Sequence, residues 1–593
     1  MVAKRLALYR STATTTPVGA TAGNYFMVRT PHLVSHLQIT QPYNLHNQAD
    51  ITPLRWCFMT ALLIVSALTA SALPLGAQNH VQRTLYWLGR ANDPKPVNAS
   101  FYTHAIVDHS VDVAVQPSTW SQRYYVDARF WCGVRCPVFL YIGGEGPQGP
   151  PSPRLFMWTL AKKHGALMLS LEHRFYGESR PTADLSVASL AHLTSSQALA
   201  DLARFHSYIS SYEPSVPDTK SSPPLRLSAS PRASKWISFG GSYPGALATW
   251  LKAKYPALVA GTIGSSAPVF AKYDFSEYMQ VVGSALGYEK IGGSSACVEA
   301  ISAGAAALDA LVSKGELMHK TVPAALRPCS VPNSTVDLST FFANLMGNFQ
   351  GVVQYNLEGR PPYVSDVCNA ALRAGGKRMP LKALAAATAL FSKNASVPAC
   401  VKSSFQNDTL NDLANTTFSA IGCDLNCTSD RQWIWQSCNE FGYFQTGTAT
   451  SQPFIAWGHA LGIGLAGRNI CEKAFSLKGY SGPRQDAAGL QALTQYGARQ
   501  IGVPNITMPN GNMDPWHALS VVNSSDAYFE VGGAAGRQVL VDGVSVVELD
   551  GTGHCRDMYA PGAFEKLPVP IMDTPSVQWA HAKIAGDVAR YLA

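Results

Sequence analysis

Three residue types in one chain order set the chemistry open to this sequence. Ser242 stands in Gly240-Gly241-Ser242-Tyr243-Pro244-Gly245, Asp514 in Gly511-Asn512-Met513-Asp514-Pro515-Trp516, and His554 in Gly551-Thr552-Gly553-His554-Cys555. A serine hydroxyl becomes a nucleophile when a base removes its proton, and the base needs an acid to orient it. Serine, then acid, then histidine suits a parallel α/β sheet that carries each group on the loop after a strand. Acyl transfer also needs two N–H donors for the developing oxyanion. Tyr243 follows the serine and supplies one; Gly144, in the loop Gly143-Gly144-Glu145, is placed to supply the other. Among the alternatives, Asp550 ends the strand pattern that leads to His554 and so sits on the wrong loop. His517 is a second candidate base, and His581 falls in a C-terminal helical pattern, where a surface position is expected.

The elements around Ser242 decide between a nucleophile and an ordinary glycine turn. Lys235 to Phe239 is short, apolar and aromatic and reads as a buried strand. Ala246 to Tyr255 places Leu247, Trp250 and Leu251 on one helical face, and Pro256 stops the run. A serine in a glycine-rich turn between strand and helix is the setting of a nucleophile elbow, whose sharp turn demands small neighbours. Pro244 stands where that pattern has its second glycine, with Gly245 one place later. Proline is tolerated in a first helical turn, whose N–H groups have no intrahelical acceptors.

Strand and helix patterns alternate from about residue 84 to 270. Strands are expected within residues 136–147, 164–179 and 259–269, and a helix over 193–209 with Thr194 at its cap. Residues 214–234, rich in Pro and Ser, read as an exposed loop. Ala- and Leu-rich helical segments fill 275–450, with strand patterns returning near 500 and at 543–549. The division expected is an N-terminal extension (1–55), a signal peptide or signal anchor (56–77), a first core part (78–274), a helical insertion (275–450) and a second core part (451–593). The fold class is α/β.

The chain has 593 residues, 47% apolar and 14% charged, a globular composition. Its formal charge is +8, but residues 1–55 hold five basic residues and one acid, leaving 41 against 37 elsewhere. That excess is too small and dispersed for a nucleic-acid partner. Residues 56–75 form an uncharged apolar run ending in small residues, so a membrane enters only if this run acts as an uncleaved anchor. Eight N-x-[ST] sequons lie at Asn98, Asn333, Asn394, Asn407, Asn415, Asn426, Asn505 and Asn523. Twelve cysteines are present, and setting aside Cys57 and Cys555 leaves ten for disulfides. Both features point to the secretory pathway. A zinc site on Cys423 and Cys427 is disfavoured because no histidine stands at ligand spacing.

The segments "GGEGP", "LEHRFYGES", "LTSSQALADLARF", "FGGSYPGALATWLKAKYP", "SSAPV", "RQWIWQSCNEFGYFQT", "NGNMDPWH" and "GHCRDMY" occur in this order. From about residue 84 onward they resemble the serine exopeptidase family of lysosomal prolyl carboxypeptidase and dipeptidyl peptidase II, nearest the subgroup of the thymus-specific serine protease. The resemblance implies an α/β-hydrolase core with an inserted helical, disulfide-stapled cap. It also implies hydrolysis of short peptides beside proline or a small residue, no cofactor or metal, and an extracellular, lysosomal or vacuolar setting. It carries Ser242, Asp514 and His554 over as nucleophile, acid and base. Glu145, Trp433, Trp435, Gln436, Tyr443 and Trp516 become candidate substrate contacts, although the aromatic ones also suit a cap core. "GHCRDMY" lacks the second histidine of the carboxypeptidase and dipeptidase branches, which leaves the direction of trimming open. A homodimer is a further state left open. The competing functions are an esterase or lipase on the same core and a catalytically inert binding protein.

Overall fold

The computed structural model describes residues 97–593 apart from 106–118, 216–217, 219, 360, 393–399, 421–428, 481–495, 523–535, 542 and 568–569. The apolar run at 56–75, the sequons at Asn394, Asn426 and Asn523, and the Cys423/Cys427 pair lie outside the described residues.

The core is built on strands β1 (Ser100–Ala105), β2 (Thr119–Asp127), β3 (Val138–Ile142), β4 (Leu167–Leu171), β5 (Ser221–Ser222), β6 (Trp236–Gly241), β7 (Gly261–Ser265), β10 (Ile506–Gly511), β11 (Gly536–Val541) and β12 (Val544–Leu549). They form one sheet in the order β11-β12-β10-β7-β6-β3-β4-β2-β1-β5. The six strands from β12 to β4 run parallel, and antiparallel strands close both edges. Every residue of β3, β4, β6, β7, β10 and β12 is buried, as expected of parallel strands covered on both faces.

Side-chain alternation sorts β3 between two layers. Phe139 and Tyr141 pack with helices α1 (Phe156–His164) and α10 (Pro575–Leu592), while Val138, Leu140 and Ile142 join the layer containing α2 (Ser195–Ser210) and α3 (Tyr243–Lys254). Helix α3 is apolar around most of its girth because the sheet lies beneath it and the cap lies over it.

The cap is helical: α4 (Glu277–Leu286), α5 (Ser295–Ser313), α6 (Thr335–Gln354), α7 (Val364–Arg373), α8 (Pro380–Ala389) and α9 (Asp430–Gln436). Its helical character runs past residue 450, to the short helix Ile470–Phe475. Strands β8 (Lys272–Asp274) and β9 (Gly442–Phe444) pair in parallel and tie the start of the insertion to the segment that follows α9. Disulfides Cys297–Cys368, Cys329–Cys400 and Cys438–Cys471 staple the cap, and Cys132–Cys136 lies in the core. The two bridges with a sequence separation of 71 each restrict the unfolded chain by about 4 kcal/mol on chain-entropy grounds.

Two expectations are corrected. His581 is buried, not superficial: it stacks on Phe156 and its Nε2 bonds the Asp557 carbonyl at 3.0 Å. Residues 214–234 are not simply an exposed loop. Ser221–Ser222 pairs with β1, and Leu225 and Leu227 are buried, because alternating apolar residues among the prolines give the segment a face to bury.

Candidate active site

Ser242 sits between β6 and α3 with φ 64° and ψ −133°, a conformation that costs a non-glycine residue about 1–3 kcal/mol. Two main-chain bonds hold it there: Ser242 N–H to the Ser265 carbonyl at 2.9 Å, and Ala246 N–H to the Ser242 carbonyl at 3.0 Å. Its neighbours must be small. A Cβ on Gly240 would lie 2.1 Å from the Pro244 carbonyl oxygen, and one on Gly241 would lie 2.1 Å from Met558 Sδ. Pro244 is accommodated in the first turn of α3, with its ring against Gly144. Ser242 itself is half-buried.

Asp514 lies three residues beyond β10. Its Oδ1 accepts the Trp516 N–H at 2.9 Å and its Oδ2 faces His554 Nδ1 at 2.8 Å. The carboxylate is fully buried. Because Oδ2 can only accept, His554 Nδ1 carries the proton and Nε2 is left with a lone pair. Asn512 bridges the two loops, donating to Asp550 at 3.0 Å and accepting the Gly551 N–H at 2.8 Å. Asp550 is engaged with Tyr288 and Lys290 and makes no bond to His554 among the described residues. His517 turns its Nδ1 to the Asp514 carbonyl.

His554 follows β12 and is buried; its N–H bonds the Gln354 carbonyl of the cap at 2.8 Å. Burial lowers its pKa, but the charge and hydrogen bond of Asp514, with Glu358 and Glu145 behind them, outweigh this and leave it above the usual histidine value. The next residue, Cys555, donates its N–H to Ser266 Oγ at 2.9 Å. Ser242 and Cys555 are thus bonded to adjacent residues at the end of β7, which sets the serine and histidine loops side by side. Among the described residues no hydrogen bond joins Ser242 Oγ to His554; such contacts are often long until substrate binds.

Tyr243 opens α3, so its N–H has no intrahelical acceptor. The loop of Gly144 is held by the Gly143 N–H bond to Leu171 and by Glu172, whose carboxylate accepts the Gln148 N–H at 2.9 Å. Glu172 also binds Arg123 and Ser179. The motif around it therefore braces the candidate oxyanion loop.

The remaining candidates separate. Glu145 is half-buried beside the site; burial raises its pKa to about 7, and its Oε2 has no hydrogen-bond partner among the described residues. Trp433, Tyr443 and Trp516 form an aromatic wall where cap meets core, with Trp433 5.7 Å from the Tyr243 ring and Trp516 6.5 Å from the His554 ring. Tyr443 is committed to the Pro268 carbonyl, and Trp435 packs on Phe475 inside the cap. Gln436 is wholly buried, with both ends of its amide bonded within the protein. Sequence reading missed Gln354, Glu358, Tyr355 and Asp557 around His554, and His173 behind Tyr243. Only His173, in "LEHRFYGES", and Asp557, in "GHCRDMY", stood in recognisable segments. The sequons at Asn98, Asn333, Asn407, Asn415 and Asn505 are exposed.

The serine carboxypeptidase S28 family profile matches residues 113–566. The thymus-specific serine protease of Mus musculus is 33% identical over 479 residues, covering 80% of this chain and 84% of that protein. The lysosomal Pro-X carboxypeptidase of Mus musculus is 26% identical over 535 residues, 85% of this chain and 94% of that protein. A probable extracellular serine carboxypeptidase of Arthroderma benhamiae is 27% identical over 504 residues, 78% of this chain and 65% of that protein.

Proposed function

The chain belongs to the serine carboxypeptidase S28 family and is a serine peptidase, and we propose that it is an exopeptidase that trims short peptides beside proline or a small residue. Ser242 is the nucleophile, His554 the base and Asp514 the acid. His554 Nε2 takes the Ser242 proton as Oγ attacks the scissile carbonyl. The oxyanion falls to the N–H groups of Tyr243 and Gly144, helped by the N-terminal dipole of α3. Asp514 holds the imidazolium, which then protonates the leaving amine. Water, activated by the same histidine, hydrolyses the acyl-enzyme.

The observation that carries this reading is the Asp514 Oδ2–His554 Nδ1 bond at 2.8 Å, on loops locked to the end of the strand beside the Ser242 turn. The preference for short peptides is supported by the helical cap over the site and by the Pro-X carboxypeptidase relative. Relatives described as lysosomal and as extracellular, with four disulfides among the described residues, support maturation in the secretory pathway. The exposed sequons are its proposed glycosylation sites.

The test is a peptide mixture with proline or alanine second from each end, digested at acid and neutral pH by the secreted protein and by Ser242→Ala. Products from the wild type alone support the reading. Released dipeptides mean N-terminal trimming, and single residues lost after proline mean a carboxypeptidase. Equal products from both proteins, or ester turnover without peptide turnover, overturn it.

A further inference from the structure

The cap touches each loop that carries a member of the triad, and it does so through the last residues of two helices. Gln354 ends α6. Its carbonyl accepts the His554 N–H at 2.8 Å, and its side-chain Oε1 accepts the Trp516 indole N–H at 3.1 Å and the Tyr278 hydroxyl. Its Nε2 donates to the Tyr355 hydroxyl at 2.6 Å. One residue therefore grips both the base loop and the acid loop. The packing is tight: a Cβ on Gly553 would lie 2.6 Å from the Gln354 carbonyl oxygen.

Gln436 ends α9 and reaches the third loop. Its Oε1 accepts the Tyr176 hydroxyl at 2.6 Å and its Nε2 donates to the Tyr243 hydroxyl at 3.0 Å. Tyr243 OH stands 3.0 Å from His173 Nε2, and His173 Nδ1 is 2.7 Å from the Arg174 carbonyl. These bonds have one consistent direction. A carbonyl only accepts, so His173 Nδ1 carries the proton. Burial lowers the His173 pKa to about 4, so Nε2 is a bare acceptor in neutral and mildly acid solution. Tyr243 must then donate to His173 and accept from Gln436, whose amide orientation is fixed in turn. Tyr176, Gln436, Tyr243 and His173 are all buried, so a broken link leaves a polar group without water to replace its partner.

We propose that Gln436 and Gln354 are positioning residues that make the cap part of the catalytic centre. Gln436 fixes the Tyr243 side chain and with it the N–H beside Ser242; Gln354 fixes His554 and the loop of Asp514. This rests on the assignment of Ser242, Asp514 and His554 as the triad. Gln436 acts through Tyr243 and does not touch substrate.

The experiment uses the full secreted protein and an alkyl fluorophosphonate. Ser242 Oγ forms a bond to phosphorus, its proton passes to His554 and fluoride leaves, so labelling needs the triad and the oxyanion donors but no peptide recognition. The maximal labelling rate and the half-saturating concentration are measured for wild type, Gln436→Leu, Gln436→Glu, Tyr243→Phe and Tyr243→Phe/Gln436→Leu. The expected result is a fall of roughly tenfold in maximal rate for Gln436→Leu, less than the loss of a whole oxyanion donor, with half-saturation within about threefold. In the Tyr243→Phe background the same change costs less than about threefold more, because its partner is already gone. Gln436→Glu keeps the shape and, once ionised, accepts where the amide donated, so its labelling slows increasingly as pH rises; it is the variant to use if Gln436→Leu does not fold. An unchanged rate, a change confined to half-saturation, or losses that multiply in the double variant would overturn the brace while Ser242 labelling in wild type upholds the triad. No labelling of Ser242 in wild type would overturn the triad and the brace together.

Discussion

Gly144 and Pro244 lie in direct contact: a Cβ on the glycine would sit 2.2 Å from the proline Cγ. The proline that replaces the expected glycine of the elbow is therefore matched by a glycine on the facing loop. Both residues flank the proposed oxyanion site.

Gly144→Ala is expected to displace that loop, because a proline ring cannot swing aside as a flexible chain would. Overpacking of this kind costs about 1–3 kcal/mol of stability, and loss of an oxyanion donor lowers kcat by roughly a hundredfold. Pro244→Ala in the same chain should recover part of both. Melting temperatures and kcat of the two variants check this; a Gly144→Ala protein with wild-type kcat would show that the loop takes no part.

Asp514→Asn keeps the shape of the acid but removes its charge. By comparison with other triads, kcat should fall by roughly ten-thousandfold. The pH profile should move as well. In the wild type the His554 pKa lies above the ordinary histidine value, so with His554 as the proposed base activity should be lost as pH falls through that raised value. Without the Asp514 charge, burial dominates, and the acid limb of the residual activity should shift to lower pH. A limb that stays in place would mean that another group titrates there.

Stability should fall between about pH 6.5 and 8. Burial raises the pKa of Glu145 and Glu440 to about 7, of Glu358 to about 8 and of Asp557 to about 6. A raised carboxyl favours the fold while protonated, so its contribution is full below the unfolded value and lost as pH rises through the folded one. Burial lowers the pKa of His104, His173, His206 and His581 to about 4, so their contribution is present above 6.5 and lost as pH falls toward 4. The two sets oppose each other from about 4.5 to 6.5; above that the carboxyls act, joined by His554, whose raised pKa makes its contribution fade in the same direction. Melting temperatures across pH 4 to 8.5 should show a plateau in mildly acid solution and a decline above it, flattened in Glu358→Gln. A melting temperature that climbs to pH 8 would contradict this.

Local pattern carried the core of the fold. Parallel strands buried on both faces show as apolar runs, which is why β3, β4, β6, β7, β10 and β12 were foreseeable; a glycine-flanked serine between strand and helix is just as local. Thr194 does accept the Gln197 N–H as the cap of α2. What stayed hidden depends on partners far away in sequence. Burial of His581 depends on Phe156 and Asp557, and Gln436, whose sequence position suggested a substrate contact, spends its amide on Tyr176 and Tyr243. Neither periodicity nor spacing reports a hydrogen bond that crosses from cap to core.

The most direct measurement is the site of acylation. Enzyme mixed with excess peptide substrate and quenched in acid within milliseconds is digested, and mass spectrometry locates the acyl group. The account predicts an adduct on Ser242, built up in the wild type and absent from His554→Ala. Turnover with an adduct on another residue, or an adduct on Ser242 that forms equally fast without His554, would contradict it.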